Sequence, residues 1–223
     1  MVAYLVTHFV PPGADIYNTF RSRGPDRYER PFAEPRTPRQ LDTPLFILNS
    51  GRTASACESF AYTLQAADRA TIIGAASAGG ANPGGFVPIG EGFTLFVSAG
   101  TPINPITGRN WEGAGVTPDI AFAPGDDALT RARILALEAA AARSPAADAA
   151  LELDWALTAL RAQGVTLPAR ALRAFAGDYG ARRVTIEQGR LVLHRERRPG
   201  LVLTPIGEDL FAVGEAAPLQ RVR

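Results

Sequence analysis

Two short runs of apolar residues flank an amphipathic stretch in the first third of the chain. The runs are residues 45–48 and 70–73, and continuous apolar runs of this length are typical of strands buried on both faces. Between them, a turn near Gly51 leads into a predicted helix over residues 54–67. A strand, a helix and a second strand with such short links form a right-handed crossover unit. The chain is therefore predicted to have an α/β fold.

The region before this unit shows weaker patterns. Apolar residues at helical spacing near the N-terminus predict a helix that faces the core. These residues are Val2, Leu5, Val6 and Phe9. Residues 11–43 are rich in Pro, Arg, Asp and Gly, and we expect a long irregular excursion that either carries substrate contacts or only faces solvent.

A glycine-rich loop at residues 76–85 follows the second strand. It has two interpretations that the pattern leaves equally open, a tight connection between strands or a loop that lines a substrate site. Two more strands are predicted at residues 86–89 and 93–98. The next loop, residues 104–120, is too rich in Gly and Pro for a helix. The first domain is predicted to end there, so that the core domain covers residues 1–124.

The rest of the chain changes from helical to strand patterns. Asp126 or Asp127 can cap a helix that runs to about Arg143, and a second helix is predicted over residues 147–163. These two helices form a predicted connecting segment at residues 125–167.

A small antiparallel β module is predicted for residues 168–223. Its clearest signal is a hairpin in which residues 183–187 and 190–194 flank the turn Gln188-Gly189. Further alternating segments follow at residues 200–204 and 210–213.

Charge and composition exclude several classes of function. Twenty-three basic and 22 acidic residues leave a net charge of +1, so nucleic acid is not an expected partner. All 23 basic residues are arginine. The absence of lysine excludes Ser-Lys dyads, Schiff bases and P-loop lysines. The apolar opening of residues 1–10 is too short for a membrane span and lacks the features of a signal peptide, and the compartment stays open.

Cys57 is the one cysteine, so no disulfide within the chain can form. A small buried hydrophobic residue on the helix is the expected role of Cys57, in preference to a reactive thiol.

Ser55 lies where the first predicted strand turns into the helix. That geometry exposes an oxygen at the carboxyl edge of a sheet and directs backbone N–H groups towards it, which suits a nucleophile. Ser55-Ala-Cys-Glu58 also matches a capping box, in which the serine only satisfies the first turn. From the pattern alone, the capping role is the better interpretation.

Four sequence segments, in a fixed order along the chain, favour the nucleophile over the cap as the role of Ser55. They are residues 48–62 (LNSGRTASACESFAY), 69–74 (RATIIG), 79–85 (GGANPGG) and 110–119 (NWEGAGVTPD). Together they resemble the C-terminal processing, or tail-specific, serine peptidase family. Within it they are most similar to the branch of the tricorn core and the interphotoreceptor retinoid-binding proteins. The resemblance implies part of a crotonase/ClpP-like spiral of β-β-α units. The C-terminal module resembles a small β extension of some bacterial members.

The resemblance also implies site residues. Ser55 would be the nucleophile, and the N–H of Ala56 would form part of the oxyanion hole. The lysine base of the bacterial processing branch would fall at Gly80, which carries no amine. Glu112 matches the glutamate that, in the tricorn-like branch, supports a catalytic histidine. The catalytic residues implied are therefore Ser55 and Glu112.

The implied histidine is not found at a family position. His8 is expected to be a core or boundary residue, and His194 is expected on the surface of the predicted hairpin. The glycine-rich segment that usually completes the oxyanion hole of the family is also absent. We therefore expect this chain to be the C-terminal portion of a longer peptidase, with the histidine supplied from outside it. Its expected partners are a peptide or protein substrate and that missing N-terminal portion or another subunit.

Substrate-binding loop candidates are Gly79, Gly80 and Asn82, and neither a cofactor nor a metal is expected. Alone, the chain is expected to be weakly active or inactive. Two alternatives stay open. The scaffold could be a non-catalytic binding module for apolar ligands or peptides, or an acyl-processing enzyme of the crotonase type. Family members are often periplasmic or secreted.

Overall fold

The structure, a computed structural model, describes residues 1–22, 24–28, 35–123, 125, 127–143, 146–162, 165–196, 198–214 and 221–222. The helices within these ranges are α1 (Val2–Thr7), α2 (Ala56–Ala66), α3 (Ala128–Ala141), α4 (Ala147–Arg161) and α5 (Ala169–Ala174). The first eight strands are β1 (Thr19–Arg21), β2 (Arg27–Tyr28), β3 (Phe46–Asn49), β4 (Thr71–Gly74), β5 (Gly84–Gly90), β6 (Phe93–Ser98), β7 (Thr101–Ile103) and β8 (Ile120–Ala121). The later strands are β9 (Gly177–Tyr179), β10 (Arg182–Glu187), β11 (Arg190–Arg195), β12 (Arg198–Pro205), β13 (Phe211–Val213) and β14 (Arg221–Val222). The chain divides into two compact units, residues 1–132 and 133–223.

The predicted strand, helix and strand form the centre of the first unit. Strand β3 pairs with β4 in parallel, and β4 pairs in parallel with β8. Helix α2 connects β3 to β4, and its Leu64 is fully buried. The α/β class is therefore confirmed.

One expectation about this sheet was wrong. Strand β3 is not buried on both faces, since Leu48 is 45% exposed, whereas Ile72 and Ile73 of β4 are fully buried. The strand order β3-β4-β8 explains the difference. Strand β3 lies at the edge of its described sheet and β4 lies at the centre.

Residues 11–43 are more ordered than expected. Strand β1 pairs with β2 and with β7, both antiparallel, and Ile16 and Tyr17 are buried with Val6 of α1 in one core cluster. This stretch is therefore not irregular throughout where it is described; residues 23 and 29–34 lie outside the described ranges. Helix α1 faces this core as predicted, except that Leu5 is 44% exposed.

The strands predicted at residues 86–89 and 93–98 are confirmed as the hairpin β5–β6, with β5 beginning two residues earlier. This hairpin is a two-stranded sheet with no further described strand beside it. Every residue of both strands is exposed, and Phe86 and Phe93 reach 74% and 68%.

The predicted helices of the connecting segment are also present. Asp127 caps α3, because its Oδ1 accepts the N–H of Thr130 at 2.9 Å. Asp126 and the predicted end of the second helix at residues 163–164 lie outside the described ranges. The domain boundaries near residues 124 and 167 stay predictions.

Strands β9 to β14 form one antiparallel sheet in the second unit, in the order β14-β13-β12-β11-β10-β9. The predicted hairpin is β10–β11. Its turn residues Gln188 and Gly189 have φ values of 49° and 78°, the left-handed pair that a two-residue hairpin turn requires. Val184, Leu193 and Phe211 belong to the apolar cluster on one face of this sheet.

Candidate active site

Ser55 lies in the turn between β3 and α2, with its side chain exposed. Its backbone has φ 55° and ψ −117°, a conformation that non-glycine residues rarely adopt. The N–H of Ser55 donates to Glu58 Oε2 at 2.6 Å, and its carbonyl accepts the N–H of Ser59 at 2.9 Å. The first of these bonds is the Glu58 half of the predicted capping box.

Glu58 does more than cap the helix. Its side chain is fully buried, and each of its oxygens accepts two hydrogen bonds. Oε1 accepts from Ser77 Oγ at 2.5 Å and from the Gly79 N–H at 2.7 Å. Oε2 accepts from the Ser55 N–H and, at 3.0 Å, from the Gly80 N–H. Glu58 therefore joins the Ser55 turn to the glycine-rich loop.

These contacts set the charge state of Glu58. Burial raises the pKa of the carboxyl, whereas the hydrogen bonds from Ser77 Oγ and from the N–H groups of Gly79, Ser55 and Gly80 lower it. The hydrogen bonds outweigh burial, so the pKa lies below its ordinary value of 4.5. The carboxylate is therefore charged at neutral pH and is stabilised by the dipoles of these N–H and O–H groups.

Glu112 holds the next part of the same loop. Its Oε2 accepts the N–H of Ala81 at 2.7 Å and the N–H of Asn82 at 2.9 Å. Unlike Glu58, Glu112 is exposed, and its Oε1 accepts no hydrogen bond from the described residues. Four consecutive N–H groups, from Gly79 to Asn82, thus donate to two carboxylates.

The two residues before Glu112 fix the turn that carries it. Trp111 is 2% exposed, and its ring lies 5.4 Å from that of Tyr62 on α2. Asn110 Oδ1 accepts the Glu112 N–H at 2.9 Å, and Asn110 Nδ2 donates to Pro102 O at 2.9 Å. These contacts fix the backbone of Glu112 although its side chain faces solvent.

Close packing explains two of the glycines. A Cβ on Gly79, which has φ 82°, would lie 3.0 Å from Gly113, and a Cβ on Gly115, with φ 72°, would lie 2.4 Å from Ser77 O. The loop and the Glu112 turn therefore pack backbone against backbone. The N–H groups of the candidate residues Gly79, Gly80 and Asn82 are occupied by the two carboxylates. Whether these residues contact a substrate by other atoms stays a prediction.

The first turn of α2 presents two exposed groups beside Ser55. The Ala56 N–H donates to no described residue, as expected at the first position of a helix. Cys57 is exposed with a free thiol, so its predicted burial was wrong. Cys57 lies in the first turn of α2, at the same exposed end as Ser55, and no described element covers it.

The sequence model of Peptidase family S41 matches residues 2–122. The chain belongs to this family. The resemblance to C-terminal processing peptidases is thereby confirmed, and its narrower assignment to the tricorn-like branch stays a prediction.

Relatives of this S41 chain are longer than the chain itself. The carboxy-terminal-processing protease of Bartonella bacilliformis is 38% identical over 79 residues, which cover 35% of this chain and 18% of that protein. The chain thus spans less than a fifth of that curated relative.

Among solved structures, the photosystem II D1 C-terminal processing protease has 22% identity and a TM-score of 0.44, covering 62% of this chain and 36% of that one. A lipoprotein from Streptococcus agalactiae has 18% identity and a TM-score of 0.43, covering 62% and 49%.

Neither histidine of the S41 chain hydrogen-bonds to Ser55 or Glu112. His8 Nδ1 lies 3.3 Å from Thr37 Oγ1, and the His8 ring stands edge-on to that of Tyr4. His194, on β11, lies 2.8 Å from Glu187 Oε1. The site as described therefore contains a serine and two carboxylates without an adjacent base.

Sequence reasoning missed two residues of this site. Glu58 was assigned only to the helix cap, and Ser77 was not singled out. Ser77 Oγ donates to Glu58 and accepts the N–H of Val116 at 2.6 Å. The one available signal was the position of Glu58 in the capping box, because its other donors come from residues 77–80.

No helix in the described part of the chain is both long and apolar enough to cross a bilayer. Among the described residues, no three His, Cys, Asp or Glu side chains converge into a group that could hold a metal ion.

Proposed function

We propose that this chain carries the nucleophile of a serine-type peptidase and that Ser55 is that nucleophile. The backbone of Ser55, at φ 55° and ψ −117° with the side chain exposed, carries the proposal. Such a conformation costs a non-glycine residue about 1–3 kcal/mol and is found mainly at functional sites. A sharp turn from strand to helix is also the arrangement that presents the nucleophilic serine of α/β-hydrolases.

The oxyanion is stabilised by the Ala56 N–H. This group directly follows the nucleophile and has no acceptor among the described residues, so it can donate to the oxygen that becomes negative during attack. Glu58 acts as a positioning residue, because it holds the Ser55 N–H and thereby the turn from which Ala56 projects.

Glu112 supports a histidine that comes from outside this chain. Its Oε2 is tied to the loop, whereas Oε1 accepts no hydrogen bond from the described residues and can receive the N–H of an imidazole. A carboxylate in that role orients the ring and stabilises the imidazolium without taking the proton itself.

The reaction then follows the course of a serine hydrolase. The Ser55 Oγ attacks the carbonyl carbon of a peptide bond while its proton passes to the imidazole. The C–N bond breaks, the leaving amine takes that proton, and water hydrolyses the ester on Ser55. The substrate is a peptide or protein, the class implied by the name of the Bartonella relative.

A fluorophosphonate probe tests the nucleophile directly. If the base is supplied from outside, the 223-residue chain will be labelled slowly, and added imidazole will accelerate labelling by acting as the base. Ser55→Ala will abolish the imidazole-dependent labelling. Ser50→Ala is the matched control, because Ser50 is an exposed serine in the same turn region and its loss leaves Ser55 intact.

Imidazole-dependent labelling that persists in Ser55→Ala, or that maps by mass spectrometry to another residue, would refute the assignment. Saturable binding of a fluorescent retinoid without any labelling would favour the non-catalytic binding module.

A further inference from the structure

The β module in the second unit encloses a cavity of about 230 Å³. Its floor is formed by apolar side chains of four neighbouring strands, each at most 5% exposed: Val184, Leu193, Leu203 and Phe211. Phe175, just after α5, forms a wall, with its ring 4.9 Å from that of Phe211. Tyr179 and Arg182 line the exposed mouth. An apolar cavity with a few polar groups at its mouth is the usual form of a small-molecule site.

Three arginines cross the same sheet in one row. The antiparallel register places Arg182 opposite Arg195, and Arg195 opposite Arg198 beyond a register shift between Leu193 and Arg195. Opposite residues project from the same face of a sheet. Val184 and Leu193, also opposite each other, lie two residues along on that face. The arginine row therefore borders the apolar floor, and like charges placed opposite each other destabilise strand pairing.

No described carboxylate pairs with any of these three arginines. Asp178 bonds instead to Arg183, at 2.6 Å, and Glu187 bonds to His194, at 2.8 Å. Both pairs project from the opposite face of the sheet, because side chains alternate along a strand. On the side of the row, Arg195 Nε is buried and has no hydrogen-bond partner among the described residues.

We propose that this module binds a small carboxylic acid with an apolar chain. The apolar part fills the cavity between Phe175 and Leu193. The carboxylate lies at the mouth, between Arg182 and Arg195, where it relieves the repulsion of the row and supplies an acceptor for the guanidinium groups. This proposal rests on residues of the second unit alone and does not depend on the peptidase proposal.

The size and charge of the site favour this ligand class. A cavity of about 230 Å³ is smaller than the pockets that enclose drug-sized molecules, so a short single chain fits better than a fused-ring compound. A planar guanidinium matches a carboxylate in a bidentate geometry, and Arg182 is the charged residue at the mouth of the cavity.

Isothermal titration of the whole chain with octanoate tests the proposal. We expect saturable binding of octanoate that is about ten-fold or more tighter than binding of 1-octanol, because only the acid pairs with the arginines. Octyl sulfate separates a general anion site from a carboxylate site, and it is expected to bind more weakly than octanoate.

Two adjacent arginines provide matched variants. Arg182→Ala is expected to weaken octanoate binding about ten-fold and to leave octanol binding unchanged. Arg183→Ala, which removes the same charge from the opposite face, is expected to leave both affinities within about two-fold. Circular dichroism of both variants checks that the module is folded.

Equal affinity for octanoate and octanol, equal losses in the two arginine variants, or no octanoate binding would overturn the proposal. A peptide ending in leucine that binds more tightly than octanoate would also overturn it, in favour of a site for polypeptide C-termini. Tighter binding of octyl sulfate would refute the carboxylate assignment.

Discussion

Glu58 and Glu112 hold the same loop, residues 79–82, in opposite environments. Glu58 is buried and all four of its acceptor positions are used, two on each oxygen. Glu112 is exposed, and only its Oε2 accepts hydrogen bonds from the described residues. The difference suggests separate tasks. A carboxylate whose oxygens are both occupied can only support the fold, whereas one with an open oxygen can also meet a reacting group.

The two residues are expected to differ most in the loss of stability when each is replaced by alanine. Glu58→Ala leaves three N–H groups and one hydroxyl, all buried or partly buried, without their acceptor, and is expected to lower the free energy of unfolding by about 3 kcal/mol or more. Glu112→Ala removes the acceptor of two N–H groups, of which that of Asn82 is exposed and that of Ala81 is partly buried, with an expected loss of about 1 kcal/mol. Urea denaturation of both variants measures the contrast, and equal losses would show that the comparison is wrong.

Amide replacement sharpens the comparison. In Glu58→Gln, the side-chain NH₂ faces either two backbone N–H groups, in place of Oε2, or the Gly79 N–H and the Ser77 hydroxyl, in place of Oε1. At least one N–H then lacks its acceptor in either orientation, so we expect a loss of about 2 kcal/mol. In Glu112→Gln, the amide oxygen can take the place of Oε2 and the NH₂ can face solvent. Its stability should stay within about 0.5 kcal/mol of the parent chain. A loss for Glu112→Gln as large as that for Glu58→Gln would indicate that Oε1 of Glu112 also accepts a structural hydrogen bond.

The smallest expected effect is a dependence on pH. The pKa of Glu58 in the folded chain lies below its ordinary value of 4.5. Its charged form therefore stabilises the fold fully above that ordinary value, and this contribution is lost as the pH falls through the lowered pKa. The stability difference between the parent chain and Glu58→Gln should narrow as the pH falls from 7 to about 3. A constant difference in denaturation experiments across this range would contradict the assignment of the lowered pKa to Glu58.

Two hairpins show which features local sequence patterns predict and which they do not. The strands of both β5–β6 and β10–β11 were predicted from their apolar residues, and β10–β11 was also predicted as a hairpin from its Gln188-Gly189 turn. Their burial could not be predicted in the same way. Strand β10 lies between β9 and β11 over an apolar cluster, whereas β5–β6 has no other described strand beside it and is exposed throughout. Alternation along a strand identifies the strand, but what covers its faces depends on distant parts of the chain.

In the candidate active site, too, local patterns predict only the contacts between residues close in sequence. The spacing of Ser55 and Glu58 predicts their contact, because a helix cap is local. The bonds from Ser77, Gly79 and Gly80 join residues about twenty positions apart, and no local rule predicts them. The burial of Cys57 was predicted wrongly for a related reason. The general preference of free cysteine for buried positions does not show which elements lie beside a given helix turn.

The conformation of Ser55, together with its proposed role as nucleophile, implies a trade-off between stability and activity. At φ 55° and ψ −117°, a glycine would be accommodated with less strain than any residue that has a Cβ. A chain optimised only for resistance to unfolding would therefore carry glycine at this position. Serine supplies there the one thing that glycine lacks, an exposed hydroxyl, and the fold tolerates the strain that comes with it.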